Sequence, residues 1–173
     1  MKTNYRVAAG LLLASIHSSC LAQSWWPADP ANREVVTVNA TTLRAALNTI
    51  GAVEVAGAKN YGEKILAQFP NGSRVILDMQ PCVTGAAACR RLVLASVFEL
   101  PQSEKKLTPD LLLAYLARYP FVNLSLSEDS SRAIMMRSVM SDFGIPKGNL
   151  YMELVAFAHH VQQFRAQIQT AAR

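Results

Sequence analysis

The sequence predicts an α+β domain: an antiparallel sheet of about five strands packed with three helices, in the order α-β-β-β-α-β-β-α. Strand-like runs follow one another across short turn signals, which makes hairpins and so antiparallel pairing. Apolar residues at helical spacing mark the helices. The longest such seam is Leu150, Leu154, Phe157, Val161, Phe164 and Ile168, at alternating intervals of four and three. Striped helices of this kind must cover at least one face of the sheet.

Each element has its own signal. Glu34-Val35-Val36-Thr37-Val38 reads as a short lead-in strand. Thr41 is expected to cap a helix carrying Leu43, Leu47 and Ile50 on one face, closed by Gly51. Residues 63–69 and 74–79 read as paired strands. Pro70-Asn71-Gly72-Ser73 joins them, because Asn-Gly accepts the positive φ of a tight turn. Leu92 to Phe98 is apolar at nearly every position, as expected of a central strand with little water on either face. Thr108, Pro109 and Asp110 supply an N-cap, an N1 proline and a first-turn acid for a second helix, Leu111 to about Tyr119. Phe121 to Ser127 alternates, with Val122, Leu124 and Leu126 on one face. Glu128-Asp129-Ser130-Ser131 turns the chain into a returning strand, Arg132 to Met140. The final helix starts near Asn149. Its seam is expected to pack on the sheet, with a helix–helix homodimer as the sharper alternative.

The N-terminus reads as a cleaved secretory signal, residues 1–22. Lys2 and Arg6 form a positive start, Val7 to Ile16 an apolar stretch of about ten residues, and Cys20-Leu21-Ala22 a small-residue cleavage site before Gln23. That stretch is too short to span a bilayer, and no other run reaches the roughly eighteen apolar residues a span needs. A lipoprotein signal acylated at Cys20 is the alternative, against which stands His17 three residues before the cysteine. Residues 23–36 form an extended arm carrying Trp25 and Trp26, and 37–173 a single domain. The two tryptophans either fold back on the domain or join a partner surface.

Export places the protein in the periplasm or outside the cell, where thiols oxidise. Cys82 and Cys89 then form an even pair around a small, turn-compatible loop, and a disulfide is the preferred reading. It would contribute about 2–3 kcal/mol, since short loops remove little chain entropy. The formal charge of +5 includes Lys2 and Arg6, which leaves +3 on the remainder. Such a charge favours solubility and not nucleic acid, and Arg90-Arg91 and Lys105-Lys106 read as solvated pairs.

The landmarks resemble the YbjN family, bacterial candidate regulators of sensory transduction, from about Thr37 to Ile168. The resemblance lies in a leucine-bearing helix ending at glycine (Leu43, Leu47, Gly51) and paired cysteines before the third strand (Cys82, Cys89). It continues in an aromatic in the second helix (Tyr115), a Phe starting the next hairpin (Phe121), and Gly144 ahead of Asn149-Leu150. Tyr115-Leu116 stands where the family usually has Trp-Asn, and Pro146 where a capping Ser is usual. The resemblance implies a fold similar to type III secretion chaperones, which dimerise and hold extended peptides, and it implies no catalytic site.

The residues likewise specify no reaction. The chain has no G-x-S-x-G, H-E-x-x-H, P-loop or G-x-G-x-x-G. Asp142-Phe143-Gly144 matches a kinase triplet in a chain too short for a kinase. His159 and His160, adjacent on a helix, point about 100° apart and cannot share a metal in the i, i+4 manner. Asp78 and Glu99 are acid–base candidates by default. The expectation is therefore a non-enzymatic module with no metal or cofactor, engaging a protein partner through Trp25, Trp26, Tyr115, Phe157 and Phe164. The alternative is an envelope binder of a small molecule or lipid, with an apolar pocket between sheet and last helix.

Overall fold

The computed structural model describes residues 29–55, 64–82, 89–100 and 109–171. The signal segment, Cys20, Trp25, Trp26, the Thr108 cap and Lys105-Lys106 lie outside those residues. Three helices are present among them: α1 (Ala40–Thr49), α2 (Pro109–Arg118) and α3 (Lys147–Ala171). The strands are β1 (Val35–Val36), β2 (Val53–Glu54), β3 (Ile65–Gln68), β4 (Arg74–Cys82), β5 (Cys89–Glu99), β6 (Asn123–Leu126), β7 (Arg132–Met140) and β8 (Ile145–Pro146).

The cap of α1 sits two residues earlier than the sequence suggests. Asn39, not Thr41, holds the extended cap conformation and accepts from the Thr42 N–H at 2.9 Å, while Thr42 Oγ1 accepts from the Asn39 N–H at 3.0 Å. This reciprocal box uses two of the helix's orphan donors. At the other end Gly51 takes φ +73°, so that Gly51 N–H reaches Asn48 O and Ala52 N–H reaches Leu47 O. That pairing is the Schellman closure which a left-handed glycine permits.

β1 and β8 form a two-stranded antiparallel ribbon. The segment 30–36, expected as arm, is thus folded onto the domain: Pro30–Arg33 is a 3-10 turn packed on α3, and β1 pairs with β8. Gly144 lets the ribbon close, since a Cβ there would stand 2.6 Å from Val35 Cγ1.

The main sheet has six strands in the order β2-β3-β4-β5-β7-β6, every pair antiparallel. β1 matches the expected lead-in strand, while the two-residue strands β2 and β8 go unread because runs so short leave no periodic signal. In the β3–β4 turn only Gly72 adopts positive φ, +79°. Asn71 instead uses its side chain: Oδ1 accepts from Ser73 N–H, and Nδ2 donates to Ala158 O of α3 at 3.0 Å. Ser73 Oγ donates to the same carbonyl at 2.8 Å, so the hairpin is pinned to the middle of α3.

One sheet face carries the core. Ile65, Ala67, Val75, Leu77, Leu92, Leu94, Phe98, Ala133 and Met135 are buried there. Against them lie all six residues of the α3 seam, each buried. The seam therefore covers the sheet, as the first of the two expectations has it. β5 departs from expectation. It is central, yet Leu92, Leu94, Ser96 and Phe98 are buried while Val93, Ala95 and Val97 are not. The helices lie on one side only, so the alternate residues of β5 meet no second layer among the described residues.

Candidate binding surface

The outer face of the sheet is ordered by register. Leu66, Ile76, Ala95, Met136 and Asn123 stand side by side on β3, β4, β5, β7 and β6. Neighbouring rows are Val97–Ile134–Ser125, Asp78–Val93–Ser138 and Gln80–Arg91–Met140. Side chains alternate across a strand, so these residues share one face. None of them is buried, and Val97 (46% exposed), Met136 (37%), Met140 (66%) and, on β2, Val53 (60%) are large apolar groups open to solvent. A contiguous apolar patch of this kind marks an interaction surface more often than scattered exposed residues do.

Polar groups frame the patch. At one end Lys64 Nζ lies 3.0 Å from Asp78 Oδ2, Gln80 donates to Asp78, and Arg91 Nη2 donates to Gln80 Oε1 at 3.0 Å. The Cys82–Cys89 disulfide closes the β4–β5 hairpin just beyond, between residues directly opposite in register. At the far end stand Arg74, Glu99 and Arg132, the last two register neighbours. Asp78 and Glu99 do not form a catalytic pair. Asp78 faces Val93, six residues from Glu99 along β5, which is about 20 Å at the strand rise.

A groove of about 310 Å³ lies on the helical side, between β7, Phe121 and α3. Phe121, Met152, Ala156 and Phe157 line it with Arg137, Glu153 and His160. Arg137 grips Glu153 with two nitrogens, donates to Phe121 O at 2.6 Å and stacks 5.7 Å from the Phe121 ring centroid. Its charge is thus already matched. Burial, then the neighbouring His159 and Arg137 charges, hold the His160 imidazole below its ordinary pKa, so it is neutral at pH 7. His159 instead faces Gln163, 2.9 Å away. Among the described residues no group of three or more His, Cys, Asp or Glu is placed to hold a metal ion, and no helix is long and apolar enough to cross a membrane.

Three of the five aromatic residues expected at a partner surface are interior, the other two being Trp25 and Trp26 outside the described residues. Tyr115, Phe157 and Phe164 are all buried. Tyr115 and Phe164 meet edge to face at 5.0 Å, and Tyr115 Oη donates to His160 O at 3.0 Å. Their helical spacing identified the core stripe, which is the side of the helix a partner does not reach. Only parts of Phe157 and Tyr115 reach grooves, the latter in one between α2 and α3. The outer face escaped the sequence reading although its signal is present. Arg74, Ile76, Asp78 and Gln80 alternate with Val75, Leu77 and Met79, a half-solvated pattern that the apolar composition of β5 obscures.

No family model matches the chain, and no curated protein does. A solved structure of YbjN, a candidate transcription regulator from E. coli, superposes with a TM-score of 0.54, covering 75% of this chain and 90% of that one. The fold is YbjN-like. At 13% identity the likeness concerns the YbjN fold alone. The HopA1-SchA chaperone-effector complex is a looser match, with a TM-score of 0.43 at 17% identity over 71% of this chain and 91% of that chain. That score is too low to build on.

Proposed function

We propose that this protein is a non-enzymatic binding module, exported to the periplasm or beyond, that engages a segment of another protein on the outer face of its sheet. One observation carries the reading. The strands whose inner residues are fully buried present Ile76, Val93, Ala95, Val97, Ile134 and Met136 on the other side with no covering layer among the described residues. Exposed apolar area of this kind gains by burial at about 25 cal/mol per Å². The YbjN-like fold agrees with a regulatory or binding role, and the disulfide agrees with an oxidising compartment. Any regulation then acts through envelope partners and not through DNA.

A photo-crosslinking side chain at position 97 or 136 tests the site, with position 113 on α2, also exposed, as the control. Partner adducts are expected from the sheet positions and not from the control, followed by saturable titration with the recovered partner. Titration unchanged in Val97→Asp would exclude this face. Mass spectrometry of the mature N-terminus tests export. A chain beginning at Gln23 is expected, and one beginning at acylated Cys20 makes the protein a lipid-anchored one.

The groove beside Phe121 supports a second reading, a binder of a small apolar ligand between sheet and last helix. Thermal shift against metabolites and lipids tests it: a stabilising ligand should lose its effect in Ala156→Trp, which fills the groove.

A further inference from the structure

We propose that the partner segment is acidic at both ends: an apolar stretch bracketed by Asp or Glu side chains about eight residues apart when extended. The inference rests on the outer face being the binding surface and specifies the chemistry of what lies there. The apolar rows run along β5 through Val93, Ala95 and Val97, flanked by Ile76, Ile134 and Met136. Cations stand at both ends of this track. Arg91 lies at one end, bonded through Nη2 to the neutral Gln80 amide and with no ion pair among the described residues. Arg74 and Arg132 lie at the other, with no ion pair within 4 Å among the described residues, although the charge of Arg132 reaches the Asp129 carboxylate in the neighbouring turn. The anions are fewer. Asp78 is taken by Lys64, which leaves Glu99 as the one other carboxylate on these rows. Arg91 faces Met140 and Glu99 faces Arg132, so the two ends are eight residues apart along β5, about 26 Å at the strand rise.

The charge also argues against other occupants. A second copy seated face to face brings three arginines against three, with one glutamate on each side to answer them, and like charges across an interface oppose binding. A bilayer surface draws in aromatic anchors, and these rows have none while holding two carboxylates.

Three peptides of equal length, titrated by fluorescence anisotropy, test the proposal. One has alternating Val and Leu between Asp-Glu ends, one has Lys in place of those acids, and one has the acids moved to the centre. The acid-ended peptide is expected to bind at least about tenfold more tightly than the Lys-ended one, as two or more rim ion pairs each worth up to about fivefold allow. The gap should shrink in 0.5 M salt, as screening demands. Arg74→Glu with Arg132→Glu should erase or reverse the preference. Equal binding of all three, abolished by Val97→Asp, would keep the face as the site and overturn its charge rule. No binding of any peptide to protein with native circular dichroism would remove both. Flotation with vesicles of three parts phosphatidylcholine to one part phosphatidylglycerol, or a dimer in sedimentation that Val97→Asp dissolves, would assign the face to lipid or to a second copy and overturn the proposal.

Discussion

The two faces of one sheet differ more than any two elements of this protein. Residues of the same strand, β5, have opposite fates: Leu94 is fully buried under α3, and Val97, three residues on, is half in water. Both faces are apolar at their centres. What separates them is the second layer, because the helices supply a seam for the inner face and nothing among the described residues does so for the outer. An apolar run therefore says that a surface favours burial without saying who buries it.

The largest test of this contrast is in the core. Phe157→Ala should cost about 3–5 kcal/mol and Leu94→Ala about 2–5 kcal/mol in urea unfolding. Val97→Ala, on the outer face, should cost about 1 kcal/mol or less. Equal losses at Leu94 and Val97 would show the outer face covered and break the comparison. Next is the disulfide at the end of the outer rows. Cys82→Ala with Cys89→Ala should lower stability by about 2–3 kcal/mol, read as a fall in Tm relative to the oxidised protein. Asn39→Ala, which removes the α1 cap on the helical side, should cost about 1 kcal/mol, and Thr41→Ala much less.

The smallest effect concerns pH. His160 is depressed in the folded state, where Tyr119, His159 and Arg137 face it. The unfolded chain therefore binds its proton more readily. This contribution to stability is complete above about pH 6.5, the ordinary histidine value. It is lost as pH falls through the lower folded value. His160→Gln should flatten that part of the stability–pH curve, and an unchanged slope would assign it to other groups.

The fold was legible where local chemistry and period agree. The α3 seam, the Asn71-Gly72 turn and the second hairpin were readable because side-chain spacing and turn residues act locally. The α1 cap was misplaced because Asn39 and Thr41 are both capping types, and only the backbone at Asn39 is extended. The site was less legible. Tyr115 stands out through the family resemblance and Phe157 and Phe164 through their place in the α3 seam, and an apolar seam at helical spacing is what a core selects. The outer rows consist of Ile, Val, Ala and Met among arginines, residues that draw attention only once register aligns them across five strands.

The shared carbonyl of Ala158 has a consequence for the order of assembly. Asn71 and Ser73, in the first hairpin, are tethered to a helix 85 or more residues later. That helix also supplies most of the surface opposing the inner face. A nascent chain that ends before Lys147 can form its hairpins but has neither face of its sheet closed, so stable structure waits on this 25-residue helix. Folding is thereby postponed until that helix has been made. On the proposed export route, that delay keeps the polypeptide threadable while it crosses the membrane.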